Sequence, residues 1–281
     1  MSKVKVITDS AGDIPPALIS ELNIGIVPLS ITIDDKTYVD LFELSTEDFW
    51  RLADSSSGLP MTAAPSSEAF KEAYQKAASE GFTEIIVITL SSKLSATYQS
   101  AKTAAEEFAS GERSISIEVL DSELATYGEG KLAVFAAQNC EKPLDELLAA
   151  VDSLRNKTEI IGTIDTLDNL RKGGRIGAAA ATLGSLLSVK PIIEVRDGVV
   201  ESPAKQRTRK RALDYLFNHL SERVAKVDEI TIITANAPDT EEFTARIQEI
   251  FPSKTILVTT IGPVIGSHAG KGTIGIAFTT L

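Results

Sequence analysis

The chain has 281 residues, 43% of them hydrophobic and 24% charged, which is enough for one large globular domain or two smaller ones. Its formal charge of −11 argues against broad, non-specific attraction to nucleic acid or to anionic membranes. A single cysteine, Cys140, permits no intrachain disulfide, and with only two histidines the chain has too few ligands for a structural zinc site.

The first half of the chain alternates short apolar runs with helical patterns. Four strands are predicted, the second of them interrupted by Pro28, over residues 4–7, 24–33, 85–90 and 115–120. Helices are predicted from Pro15-Pro16 and over residues 46–53, 67–80, 101–108, 131–139 and 144–154. Residues 54–67, rich in serine, glycine and proline, are predicted to form a functional loop near the strand ends. This alternation indicates an α/β fold with a parallel, doubly wound sheet.

The pattern resets near residue 157, where we predict a boundary between an N-terminal domain (1–157) and a C-terminal domain (158–281). Strands are predicted over residues 159–164, 191–195, 230–234, 255–260 and 273–279. Helices are predicted over residues 183–187, 207–224 and 241–251. Residues 196–198 look like a tight turn between antiparallel strands, so the second domain is expected to be mixed α/β.

The strand at residues 85–90 is followed by a hydroxyl-rich turn and the start of a helix. Ser95 is a good N-cap for this helix, because its oxygen can accept from a backbone N–H two or three residues later. Unpaired N–H groups and the helix dipole favour an anion at such a joint, and ligands bind at this edge of open α/β sheets. The alternative is that Ser91, Ser92 and Ser95 are only turn and cap residues.

Several familiar motifs fail on inspection. The segment GSHAGKGT (266–273) lacks the first glycine and the final Ser or Thr of a phosphate loop. It also fails as a hydrolase elbow, because His268 stands where the nucleophile would be. No HExxH motif occurs. Nucleotide-driven and metal-driven chemistry are therefore weakly supported, and we predict neither a metal nor a cofactor.

A polar set from three predicted loops remains: Thr62, Ser92, Ser95 and His268, the last between flexible glycines. Together these side chains supply hydrogen-bond donors for a carboxylate or a phosphate. They could equally include a Ser–His nucleophilic pair, although the sequence indicates no acid partner. His219, in a helical pattern, is given a surface or packing role.

Positive charge is concentrated in RKGGR (171–175) and KQRTRKR (205–211). Solvated helix and loop faces are the usual reason for such runs. The alternative is a docking surface for an acidic partner, with Arg171, Arg175, Arg207 and Arg209 as the candidate residues.

The chain resembles the DegV family of bacterial proteins that bind long-chain fatty acids. The matching segments occur in family order over nearly the full length: ITDSAGDIP (7–15), IVPLSI (26–31), TAAPS (62–66), LSSKLSATYQSA (90–101), VLDS (119–122), LRKGGRIG (170–177), VKPII (189–193) and GPVIGSHAGKG (262–272). Three positions depart from the family pattern: Ala63-Ala64 replaces Ser-Gln, Ala96 replaces glycine and Lys271 replaces proline. None of these changes falls on Thr62, Ser92, Ser95 or His268, the residues proposed above as hydrogen-bond donors.

The resemblance implies that Thr62 and Ser95 hold the fatty-acid carboxylate, with His268 nearby. It further implies a non-catalytic carrier of a fatty acid such as palmitate, and for some relatives presentation to a separate kinase that forms an acyl phosphate. The tail is expected in a tunnel between the two domains, lined by apolar segments such as residues 178–187. The alternatives are an acyl hydrolase or transferase using Ser95 or Ser92 with His268, and a lipid-sensing regulator.

The expected location is the cytoplasm. No apolar run approaches the ~20 residues of a membrane span, and the first residues enter a strand without room for a signal peptide.

Overall fold

The computed structural model describes residues 4–111, 115–185 and 189–281. In chain order the strands are β1 (Lys5–Asp9), β2 (Gly25–Val27), β3 (Ser30–Ile33), β4 (Lys36–Val39), β5 (Met61–Ala63), β6 (Glu84–Thr89), β7 (Ser116–Asp121), β8 (Thr158–Thr163), β9 (Lys190–Arg196), β10 (Val199–Gln206), β11 (Val227–Thr234), β12 (Leu257–Thr260) and β13 (Ile274–Thr280). The α-helices are α1 (Pro16–Glu21), α2 (Thr46–Ser55), α3 (Ser67–Ser79), α4 (Thr97–Gly111), α5 (Tyr127–Gln138), α6 (Leu144–Arg155), α7 (Asp168–Lys172), α8 (Arg209–Ser221), α9 (Thr240–Ile250) and α10 (Pro263–Ala269).

The first sheet is parallel, with strand order β2-β1-β6-β7. Its central strands are buried on both faces, as their unbroken apolar runs predict. Val6 and Ile86 pack in one core cluster with α5 and α6, whereas Ile7 and Val87 pack in another with α3 and α4. The predicted parallel, doubly wound sheet is therefore confirmed.

The second sheet has strand order β10-β9-β8-β13-β11-β12 and is mixed, because β11 and β12 are parallel while the other pairs are antiparallel. One of its faces packs against α8 and α9 through residues such as Ile232, Leu216 and Phe243. Its other face contributes Ile160 and Ile233 to the same core cluster as Val6 of the first sheet. The two halves of the chain thus share a core.

A third, three-stranded sheet has the order β4-β3-β5. Its strand β5 lies inside the segment 54–67, so the predicted functional loop contains a short strand. The strand is only three residues long and takes its order from pairing with β3, in which Thr62 lies opposite Ile31. Tertiary pairing has therefore overridden the turn-rich composition of this segment.

Most predicted elements are confirmed, with ends shifted by a few residues. Ser45 caps α2, its side-chain oxygen accepting from the N–H of Asp48. The predicted α-helix at 183–187 is wrong for residues 183–185, which belong to a 3-10 helix, Gly177–Ser185. Residues 186–187 lie outside the described ranges. The predicted glycine-rich loop around His268 is also wrong, because that residue lies in α10.

The division of the chain at residue 157 stays a prediction. Within the described residues, no helix is both long enough and apolar enough to cross a membrane.

Candidate functional site

A largely apolar cavity lies between the second sheet and the loops that follow the strands of the first part. Its empty space is about 960 Å³, including the part open to solvent. Apolar side chains from both halves of the chain line it. They are Leu29, Leu90, Leu94 and Ala125 from the first half, and Ile160, Ile193, Val195, Val200, Ile233, Ile261, Val264 and Ile265 from the second. Of residues 178–187, those whose side chains are described, 178–181, are not in this lining.

Thr62 and His268 meet at the wall of this cavity although they are 206 residues apart. The Thr62 Oγ1 atom lies 2.9 Å from Nε2 of His268. Thr62 is placed by β5, and His268 lies in the last turn of α10, a helix that begins at Pro263 and ends before Gly270. Proline at the first position and glycine after the last are ordinary helix boundary signals.

The His268 ring is neutral at physiological pH. Burial, and to a smaller extent the nearby charge of Arg175, lower its pKa to about 4. Its Nδ1 atom is buried and finds no hydrogen-bond partner among the described residues. A Cβ atom on Gly173 would lie 2.4 Å from that nitrogen, so the ring needs glycine at this position.

Ser95 also lines the cavity, from the turn that precedes α4. Its Oγ atom lies 2.9 Å from Oγ1 of Thr97 and 3.4 Å from the backbone nitrogen of Thr97. The helix begins at Thr97, so Ser95 lies two residues before its first residue. Its hydroxyl therefore supports the turn and reaches the cavity wall at the same time.

Ser92 does not join these residues. Its side chain is exposed, it is absent from the cavity lining, and its backbone N–H donates to Asp121 at 3.1 Å. Of the four predicted residues, Thr62, Ser95 and His268 line the cavity and Ser92 does not, and their role in holding a carboxylate stays a prediction. The buried hydroxyl of this turn belongs to Ser91, which donates to the carbonyl of Gly198 at 2.7 Å and ties the turn to the β9–β10 hairpin.

The four candidate docking arginines separate into different environments. Arg175 lines the cavity, with Nε donating to the carbonyl of Leu94 at 3.0 Å. Arg209 makes two 2.7 Å hydrogen bonds to the carboxylate of Asp239 and is half-buried. Arg171 and Arg207 are exposed. The docking prediction is thus corrected for Arg175 and Arg209, because their guanidinium groups are engaged within the fold.

Three of the cavity residues, Thr62, Arg175 and His268, also line a cleft on its outer side. Other walls of this outer cleft come from Leu59, Met61, Asn169 and Lys172. The hydroxyl and imidazole groups therefore stand at the boundary between the apolar cavity and a cleft that reaches solvent.

The contacts do not form a Ser–His nucleophilic pair. His268 is bonded to Thr62, and Ser95 is bonded to Thr97. Within the described ranges, His268 Nδ1 has no carboxylate partner of the kind that orients a catalytic imidazole. These same ranges contain no cluster of His, Cys, Asp and Glu suited to a metal ion.

A group of buried carboxyl groups behind the cavity was missed by the sequence reasoning. Burial raises the pKa of Asp9 and of Asp40 to about 6, that of Asp13 to about 8, and that of Glu129 well above its usual value. Asp13 accepts a 2.5 Å hydrogen bond from Thr126, which lines the cavity. The segment ITDSAGD (7–13) has the composition of an exposed polar turn, and only the packing of several elements over it shows the burial.

A comparison with known families matches residues 3–281 to the model described as "Uncharacterised protein, DegV family". The chain belongs to the DegV family. A DegV domain-containing protein of Clostridium perfringens is 36% identical over 286 residues, covering 99% of this chain and 98% of the relative.

Solved DegV structures have the same fold over the whole chain. A Thermus thermophilus protein described as a fatty-acid-binding DegV family protein is 29% identical, with a TM-score of 0.88 and coverage of 99% of this chain and 100% of that one. DegV of Bacillus subtilis, described as a fatty acid binding protein, is 26% identical, with a TM-score of 0.90 and full coverage of both chains. DegV-family structures thus bind fatty acids, and the family resemblance and α/β fold class are confirmed.

Proposed function

We propose that the cavity binds a long-chain fatty acid, such as palmitate, with the carboxylate held by Thr62, Ser95 and His268. The observation that carries this proposal is the Thr62–His268 hydrogen bond at the boundary between an apolar cavity and a solvent-reaching cleft. The fatty acids bound by the Thermus thermophilus and Bacillus subtilis relatives support the ligand class.

The tail supplies most of the affinity. A chain of ~14 methylenes gains roughly 11 kcal/mol gross when it leaves water, at ~0.8 kcal/mol for each group. A hydrogen bond to the carboxylate contributes about 1.5–3 kcal/mol net. The polar groups therefore fix orientation and select an acid over an alcohol.

The neutral His268 ring orders the donors. When its Nε2 carries the hydrogen, that hydrogen goes to Thr62 Oγ1, and the Thr62 hydroxyl hydrogen is free to point at the ligand. Arg175 lines the same wall and supplies the positive charge that an anionic head group requires. In this role Arg175 belongs to the ligand site and not to a docking surface.

The first experiment measures lipid retention. The purified protein and the double variant Thr62→Val/Ser95→Ala are extracted, and bound fatty acid is quantified by mass spectrometry. We expect the double variant to retain at least tenfold less, because two hydrogen bonds to the carboxylate are lost. The matched control is Thr32→Val/Ser92→Ala, which changes a threonine of the adjacent strand and the exposed serine of the same turn. Equal retention by both double variants refutes the head-group assignment.

The proposal extends to presentation of the bound carboxylate to a fatty acid kinase, which would phosphorylate it to an acyl phosphate. The outer cleft supports this extension, because it reaches Thr62, His268 and Arg175 without crossing the tail cavity. Arg171 and Arg207 remain the candidate docking residues.

Docking is tested by the affinity for a purified fatty acid kinase. Arg171→Glu/Arg207→Glu should weaken it while lipid retention stays unchanged, whereas Lys142→Glu, also exposed, should weaken it less. An unchanged kinase affinity in the double variant excludes this docking surface.

The alternative function, an acyl hydrolase or transferase, is tested by turnover of 4-nitrophenyl palmitate. We expect no turnover above the buffer rate, because Ser95 and His268 each bond to a different threonine. Turnover that disappears in Ser95→Ala and persists in Ser92→Ala establishes the enzyme instead.

A further inference from the structure

The second sheet opens between two neighbouring strands. β8 and β9 pair at three positions only, from Thr163↔Ile192 to Ile161↔Glu194. Each strand nevertheless continues beyond that point with its other neighbour: β8 pairs with β13 as far as Thr158, and β9 pairs with β10 as far as Arg196. The two strands therefore separate past Ile161 and Glu194.

A polar cleft occupies this opening and meets the apolar cavity there. Ile160, Ile161, Glu194 and Val195 line both spaces. The remaining walls of the cleft carry three arginines and three further acidic residues, so its formal charge is nearly balanced: Arg155, Arg196, Arg223, Glu123, Glu159 and Asp197. A balanced cleft does not favour an anion or a cation, and an uncharged polar group suits it best.

Two buried polar atoms of the cleft make no hydrogen bond to the described residues. Arg155 donates through Nη1 to the carbonyl of Asp121 at 3.0 Å and pairs with Asp152 at 2.6 Å, but its Nε is buried without a partner among the described residues. Glu194 Oε1 forms an ion pair with Nη2 of Arg196 at 2.8 Å, but the two groups are not aligned for a hydrogen bond, and this buried oxygen accepts none from the described residues. The cleft thus offers one donor and one acceptor, which is what a single hydroxyl group needs.

We propose that the opening between β8 and β9 is a second mouth of the ligand cavity, which accepts acyl chains carrying a hydroxyl group at the methyl end. The hydroxyl lies in the polar cleft, where it accepts from Arg155 Nε and donates to Glu194. This inference rests on the proposed function, because it assumes that the chain itself occupies the cavity.

The test compares hexadecanoic acid with 16-hydroxyhexadecanoic acid by displacement of a fluorescent fatty acid from the delipidated, full-length protein. We expect the two affinities to agree within about threefold, because the hydroxyl is hydrogen-bonded. A closed apolar cavity would bury the hydroxyl unpaired and weaken binding by roughly tenfold or more. That second result overturns the inference. If hexadecanoic acid itself does not bind, the proposed function has failed, and the two failures are distinguishable.

A variant assigns the effect to the cleft. Glu194→Leu should weaken the binding of 16-hydroxyhexadecanoic acid about tenfold relative to that of hexadecanoic acid, because only the hydroxylated chain loses a hydrogen bond. The matched control is Glu201→Leu, since Glu201 pairs with Glu194 in the β9–β10 ladder but lines neither space. Equal effects of the two variants on both acids contradict the assignment. The wild-type comparison decides the question even if Glu194→Leu does not fold.

Discussion

Asp13 offers the most quantitative test of the structure, because its carboxyl group is buried at the junction of the two halves. Its Oδ1 accepts from the N–H of Gly262 at 2.8 Å, and its Oδ2 accepts from Thr126 at 2.5 Å. Its carbonyl oxygen accepts from Thr259 at 2.7 Å. Burial raises the pKa of Asp13 to about 8 despite these hydrogen bonds, with a smaller contribution from the charges of Asp40 and Asp9.

Because the pKa of Asp13 is raised in the folded protein, the stability of the fold must fall as pH rises. The folded protein keeps the Asp13 proton up to about pH 8, whereas the unfolded chain releases it near its usual value of 3.8. Stability contributed by this group is therefore present at low pH and is lost as pH rises between those values. At ~1.4 kcal/mol for each pH unit, the loss is roughly 4 kcal/mol between pH 4 and pH 7.

The substitution Asp13→Asn removes the titration and keeps the shape, since the amide can accept from Gly262 and donate to Thr126. We expect its free energy of unfolding, relative to wild type, to rise by roughly 3–4 kcal/mol from pH 4 to pH 7. Urea denaturation at a series of pH values measures this difference, with Asp35→Asn, an exposed aspartate, as the control. A difference that stays constant or shrinks as pH rises refutes the assignment of a raised pKa to this carboxyl group.

Two further predictions concern the head-group wall. Gly173→Ala should displace the His268 ring, because the added Cβ would lie 2.4 Å from Nδ1, and should reduce fatty-acid retention roughly tenfold, whereas Gly58→Ala, with open space around it, should not. Retention that is equal in the two alanine variants contradicts the placement of the ring. Arg175→Met should raise the His268 pKa above its value of about 4, as read from the imidazole NMR shifts, and should weaken carboxylate binding. An unmoved His268 titration means that the guanidinium does not act on the ring.

The central strand–turn–helix unit was predictable because local signals agree there. A β-branched apolar run, a hydroxyl-rich turn and a helical repeat all point to the same structure, and β6 and α4 follow them closely. Ser95 accepts from the backbone N–H two residues later, as predicted, although α4 starts at Thr97 and Ser95 therefore lies two residues before its first residue. Sequence reasoning works best where neighbouring residues decide the structure.

The surroundings of Thr62 and His268 depended on distant contacts. β5 is a three-residue strand in a segment with turn composition, and only its pairing with β3 orders it. α10 was not predicted because the glycines in and around it favour a loop, although Pro263 and Gly270 mark its two ends. Arg175 lies in a basic run that indicated solvent exposure, but its Nε donates to the distant carbonyl of Leu94 and its side chain lines the cavity. A charge pattern alone cannot show which side of a loop becomes a wall.

The head-group site and the buried carboxyl groups are connected through α10. Gly262, the N-cap residue of that helix, donates to Asp13, and His268 lies in the last turn of the same short helix. The donor that meets Thr62 is therefore held in place by a hydrogen bond to a loop of the first sheet. Because Thr62 comes from the first half of the chain and His268 from the second, the site exists only when the two halves are packed together. The high burial of Asp13, which costs stability at neutral pH, is consistent with a junction selected for position more than for stability.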